Sequence, residues 1–201
     1  MTMTLNADLL KVVAQLNKKH GANTVVTADL VKHIKRIPTG SLTLDLVLGG
    51  GWPTNQWVEV IGEASHGKTA IALKTIAANQ AVNPDFTAVW VAAEPFDKGY
   101  AEMCGVDTTK VLLVETNSME DAFDACIQFM ESKAVDLVVV DSLPALVPGA
   151  EDEKDMDEFT VGRGALITNK FFRKVASATR RDMVEDERPV LGIMINQYRM
   201  K

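Results

Sequence analysis

Apolar residues fall into two rhythms along this chain. From residue 57 onward, short and nearly continuous apolar runs alternate with longer stretches whose apolar positions recur every three or four residues. The runs are WVEVI (57–61), AVWVA (88–92), VLLV (111–114), DLVVVD (136–141) and VLGIMIN (190–196), and each reads as a strand. Helical spacing fills the intervals at 68–82, 98–104, 119–132 and 160–183, and Ser118 with Asp121 opens the third of these in capping fashion. Continuous apolar strands alternating with helices imply an α/β fold with a mainly parallel central sheet, covered on both faces as three layers. The opening segment stands apart. Leu5, Leu9, Val12, Val13 and Leu16 predict a helix stopped by KKHG, and the β-branched NTVVTADLV predicts a short strand through Val25 and Val26. A helix and a lone strand ahead of a complete core must pack on that core or on a neighbour. This gives an N-terminal element at 1–33 and a core at 34–201.

The turn between the first core strand and the first core helix changes the picture from fold to chemistry. GEASHGKTA (62–70) meets the pattern G-x-x-x-x-G-K-[ST] with Gly62, Gly67, Lys68 and Thr69. Glycines allow successive backbone N–H groups to turn toward one anion, and the N-terminus of the following helix points its unpaired donors at the same place. Glu63, Ala64, Ser65, His66 and Ala70 complete this candidate nucleotide-binding loop, with His66 at a permissive position. In this reading Lys68 neutralises the β and γ phosphates of ATP and the Thr69 hydroxyl holds Mg²⁺. Asp141, at the C-terminal tip of LVVVD, stands where ligands of open α/β sheets bind and can share the Mg²⁺ shell with Thr69. Glu94, just after AVWVA, is a candidate base for the attacking water, its alternative being an exposed loop glutamate. Gln197, after VLGIMIN, is an amide at a strand tip and can sense the γ phosphate by hydrogen bonding.

Bulk composition narrows the classes. The 201 residues suffice for one medium domain with its own core, and 47% hydrophobic with 24% charged residues is ordinary for a globular protein. No apolar run approaches the roughly 18 residues of a membrane span. Cys104 and Cys126 are too few for a disulfide framework or a metal cage, and read as buried thiols of a reducing cytoplasm. A net charge of −6 means that any DNA contact must come from a local basic surface. The run EDEKDMDE (151–158) reads as a solvated acidic loop. The apolar strand followed only by QYRMK predicts that the sheet continues in a longer protein.

Four stretches together resemble one family, the bacterial RecA recombinases and their phage relatives. IPTGSLTLDLVLGGG (37–51) resembles that family's entry into the core, GEASHGKT its phosphate loop (Walker A), VDLVVVDSLPALVP (135–148) its second nucleotide strand, and INQYRMK (195–201) the lead into its second DNA-binding loop. The resemblance covers about residues 5–201. It implies an ATP-dependent, DNA-stimulated ATPase that forms head-to-tail helical filaments on single-stranded DNA and exchanges strands with double-stranded DNA. It also implies a place in recombination, repair and the SOS response to DNA damage. Carried over by position, it implies that Glu94 is the catalytic glutamate and that Asp97 and Tyr100 lie on the adenine side. Gln197 couples nucleotide to DNA, and Asn169, Arg173 and Arg199 contact single-stranded DNA. The stretch after VPGAE matches the first DNA-binding loop, and the N-terminal helix and strand match the polymerisation element. Two departures stand out. AAEPFDKGY is one residue shorter than usual between the glutamate and the aspartate, and Leu166 replaces an expected arginine, with Arg163 one turn earlier. The alternative class is a RecA-fold ATPase of the ring-helicase or repair-regulator type. The N-terminal element and the IPTGS entry favour the filament former.

Overall fold

The computed structural model describes residues 6–22, 24–30, 33–149, 160–182 and 188–198. The chain forms two compact units, Met1–His33 and Ile34–Lys201. In the first, helix α1 (Ala7–His20) starts at Asn6, whose side chain accepts the Asp8 N–H, and ends at Gly21, whose φ of 112° no other residue type readily adopts. None of its residues is buried, and Leu9, Leu10 and Val12 are about half exposed. Leu5 of the predicted apolar stripe lies outside the described residues.

The predicted strand at Val25 and Val26 does not form. A strand needs a partner for its backbone groups, and the described residues supply none here. The Asn17 amide takes that role: Val25 N–H donates to Asn17 Oδ1 at 2.7 Å, and Asn17 Nδ2 donates to the Val25 carbonyl at 3.1 Å. A 3-10 turn, Ala28–Leu30, follows.

The larger unit opens with a two-residue antiparallel ribbon, β1 (Arg36–Ile37) against β2 (Trp52–Pro53), joined through the short helix α2 (Leu42–Val47). The central sheet then takes β3 (Trp57–Gly62), β4 (Ala88–Ala92), β5 (Val111–Glu115), β6 (Leu137–Asp141) and β7 (Leu191–Gln197). Between them run α3 (Lys68–Val82), α4 (Lys98–Met103), α5 (Met119–Ser132) and α6 (Thr160–Asp182). The sheet is parallel throughout, in the order β3-β7-β6-β4-β5.

Alternation along the strands builds two apolar layers. Ala88, Trp90, Leu137, Val139, Ile193 and Ile195 face one side and pack with Leu73 and Ile76 of α3 and Ala101 of α4. Val89, Val91, Val138, Val140 and Met194 face the other and pack with Phe123 and Cys126 of α5 and Phe171 of α6. Both faces of the inner strands β4, β6 and β7 are therefore dry, which explains their runs without polar interruption, whereas the outer strands β3 and β5 are partly exposed. Cys104 and Cys126 are buried, and burial pushes the Cys126 thiol up to about 12. Among the described residues no helix is long and apolar enough to cross a membrane. The acidic run at 151–158, within the stretch matched to the first DNA-binding loop, lies outside the described residues.

Candidate active site

β6 lies between β4 and β7, and β7 lies between β6 and β3, so the C-terminal tips of all four strands share one edge. A cleft of about 410 Å³ opens there. Its floor is the turn after β3. Ser65 takes a left-handed φ of 61°, and Gly67, with φ 83°, is the N-cap of α3 and offers no side-chain cap. The first turn of α3 thus keeps backbone N–H groups without a capping side chain, and Lys68, Thr69 and Ala70 of that turn line the cleft. Such an end attracts an anion.

The Lys68 side chain is only 8% exposed. Its ammonium donates to the carbonyls of Gly62 at 3.1 Å and Glu63 at 2.6 Å, so the loop's own backbone satisfies the charge. The Thr69 hydroxyl donates to Asp141 Oδ2 at 2.9 Å, joining α3 to the tip of β6. Burial raises the Asp141 carboxyl above its ordinary range, and facing Glu94 adds to the rise. The Thr69 hydrogen bond and the Lys68 charge act in the opposite direction. Glu94 lies two residues beyond β4, is exposed, and accepts a hydrogen bond from the Ser142 hydroxyl at 2.8 Å. Gln197, paired in register with Gly62 across the β3–β7 ladder, also lines the cleft. Neighbouring Asn196 is spent on structure, donating to Glu59 Oε1 at 2.7 Å.

Other sequence-derived candidates fall differently. Tyr100 lines the cleft with its side chain partly exposed. Asp97 caps α4, its Oδ1 accepting the Tyr100 N–H at 2.9 Å, and it is not among the cleft-lining residues. His66 also stays off the cleft wall. Its Nδ1 lies 2.8 Å from the Ala64 carbonyl oxygen and its Nε2 3.8 Å from Glu63. Asn169 and Arg173 are exposed on α6, whereas Arg199 lies outside the described residues. Sequence reasoning missed Ser142, which lines the cleft beside Asp141; its signal was the hydroxyl directly after a strand-end aspartate.

A hydroxyl and a carboxylate in contact are hard oxygen donors of the kind Mg²⁺ accepts alongside phosphate oxygens and water. Among the described residues no cluster of three or more His, Cys, Asp or Glu side chains forms a self-sufficient metal cage. The donor set therefore fits a metal held jointly with a phosphate-bearing ligand.

A covered parallel sheet with this β3–α3 turn, bonded through its threonine to a strand-end aspartate, defines the chain as a P-loop nucleotide-binding core of the RecA-like type. The family model for the RecA N-terminal domain matches residues 7–201, and the chain belongs to the RecA family. It is 38% identical over 200 residues to Protein RecA of Synechocystis sp., covering 98% of this chain and 53% of that protein. It is 37% identical over 198 residues to Protein RecA of Roseiflexus castenholzii, covering 96% of this chain and 54% of the relative. Protein RecA of Gloeothece citriformis is 37% identical over 207 residues, covering 100% of this chain and 56% of its own length. The chain thus spans about half the length of the curated relatives it matches.

Proposed function

We propose that this chain is the nucleotide-binding part of an ATP-dependent recombination protein that assembles head to tail on single-stranded DNA and promotes strand exchange with double-stranded DNA. The observation that carries the reading is the convergence of Lys68, Thr69, Glu94 and Asp141 on one cleft at the strand tips. Bound phosphates draw the Lys68 ammonium from one of its two carbonyl partners, Gly62 and Glu63, while the N-terminus of α3 donates to them. Thr69 and Asp141 are the residues that would hold Mg²⁺, which supplies charge neutralisation at the phosphate oxygens. Glu94 orients a water and accepts its proton as the oxygen attacks the γ phosphorus, whose bond to the β,γ-bridging oxygen breaks and releases ADP. Tyr100 offers an aromatic face to the adenine, and Gln197 links the γ phosphate to DNA contacts that include Asn169, Arg173 and Arg199.

For assembly, we assign Val25 and Val26 to pairing with a neighbouring subunit's sheet edge, supported by exposed apolar residues on both elements. Val26 is 44% exposed, and Leu112 and Leu113 of the edge strand β5 are 54% and 44% exposed. Strand addition at such an edge is heterologous and builds open helices or rings rather than a closed two-fold pair. Light scattering and negative-stain imaging with Mg²⁺, ATP and single-stranded DNA test the reading. Filaments are expected in the parent and their loss in Val26→Asp. Closed rings would instead support a helicase- or regulator-type motor, and unchanged assembly of Val26→Asp would remove the strand-addition model.

A further inference from the structure

Ser142 carries a hydroxyl that is diverted from its ordinary local use. It is the N-cap residue of a 3-10 turn, Leu143–Ala145, a position where serine usually accepts a hydrogen bond from an N–H two or three residues on. Its side chain makes no such bond. The turn is closed by backbone alone, the Ala145 N–H donating to the Ser142 carbonyl at 3.1 Å. The hydroxyl instead crosses to the end of the neighbouring strand and donates to Glu94 Oε1 at 2.8 Å.

The β4–β6 ladder determines this meeting. Ala92 is paired with Asp141, and the Ala93 N–H donates to the Asp141 carbonyl at 3.0 Å, so the two chains leave the sheet side by side. Ser142 is 2% exposed and sits on this rigid ladder. Glu94 is exposed, on the segment between β4 and α4, and it faces Asp141 as a like charge. Left alone, its carboxylate has both solvent and repulsion drawing it out of the cleft. Two hydroxyls thus serve two carboxylates: Thr69 contacts Asp141, and Ser142 contacts Glu94.

We propose that Ser142 is a positioning residue for ATP hydrolysis, its hydroxyl holding the Glu94 carboxylate at the cleft, where Glu94 meets the attacking water. The proposal rests on the reading of Glu94 as general base and adds a residue that acts through it.

The test uses the whole chain with Mg²⁺-ATP and single-stranded DNA. Four variants are compared with the parent: Ser142→Ala, Ser142→Thr, Glu94→Gln and the Ser142→Ala/Glu94→Gln double. Nucleotide affinity is measured by fluorescent-analogue titration and hydrolysis by single turnover. Ser142→Ala should slow hydrolysis roughly 10- to 100-fold, as misplacement of a catalytic group does, with affinity kept within about twofold. Ser142→Thr, which restores the hydroxyl, should recover most of the rate. In the Glu94→Gln background Ser142→Ala should have no further effect, because the group it positions no longer takes the proton. A crystal structure of Ser142→Ala should show Glu94 in a different rotamer.

A Ser142→Ala rate equal to the parent, with Glu94→Gln slowed, overturns the positioning role and leaves the base assignment standing. Parallel losses of rate and affinity in Ser142→Ala, or full additivity with Glu94→Gln, make Ser142 merely structural and also overturn the proposal. A Glu94→Gln rate equal to the parent overturns the base reading on which the proposal rests.

Discussion

Replacing Lys68 with alanine tests the candidate phosphate loop, and the lysine's own backbone partners moderate the effect to be expected. An ammonium about 4 Å from one phosphate charge gains about 4 kcal/mol at an effective dielectric constant of about 20. The Lys68 ammonium is not idle beforehand, since it donates to the carbonyls of Gly62 and Glu63 at 3.1 and 2.6 Å. Turning toward a phosphate while keeping one of the two carbonyls gives up a single charge-assisted hydrogen bond, which costs about 1.5–3 kcal/mol. The net contribution to nucleotide binding is then about 1–2.5 kcal/mol, or roughly 5- to 60-fold in Kd. Titration of Lys68→Ala with a fluorescent ATP analogue measures this, with circular dichroism confirming that the fold is kept. Hydrolysis should fall further than affinity, because charge develops on the phosphate oxygens in the transition state. A Kd within twofold of the parent would refute the cradle. A loss of several hundred-fold would show that the two carbonyls do not compete for the lysine.

Three further outcomes follow from the packing and electrostatics. Asp141, raised by burial first and then by Glu94, holds its proton more tightly folded than unfolded. The unliganded chain should therefore gain stability as pH falls from neutral through the raised value toward the ordinary carboxylate range, and lose it as pH rises. Asp141→Asn should flatten that component and melt higher at neutral pH while losing stabilisation by Mg²⁺-ATP; equal Tm–pH profiles would refute it. Gly192 lies opposite Trp57 in the β3–β7 ladder, and an added Cβ would come within 2.3–2.5 Å of three indole carbons. Since that ring also packs edge-on against Phe171 at 5.0 Å, Gly192→Ala should cost about 1–3 kcal/mol, and an unchanged Tm or tryptophan emission would contradict the packing. Cys126, fully buried with its thiol pushed up to about 12, should resist iodoacetamide at pH 8 until the chain unfolds; rapid alkylation of the native chain would refute its burial.

Local pattern alone determined the five core strands and the helices between them: β4, β6 and β7 are buried on both faces and must be apolar at consecutive positions, and the outer β3 and β5 carry short, mostly apolar runs of similar length. Val89 and Val91 enter one layer while Ala88 and Trp90 enter the other, and both requirements are written in AVWVA. The candidate phosphate loop was equally local, since Gly62, Gly67, Lys68 and Thr69 fall within one strand-to-helix turn. Sheet order was not local. Placing β6 between β4 and β7 brings Asp141 to Thr69 and Ser142 to Glu94, and no periodicity records which strand tips become neighbours. Residues with several possible hydrogen-bond partners were likewise assigned only after packing. Asp97 became a helix cap, Asn17 took the backbone of Val25, and Ser142 gave up its cap for Glu94. Hydrophobic burial is encoded residue by residue, whereas a polar group's partner is whatever the assembled layers place within about 3 Å of it.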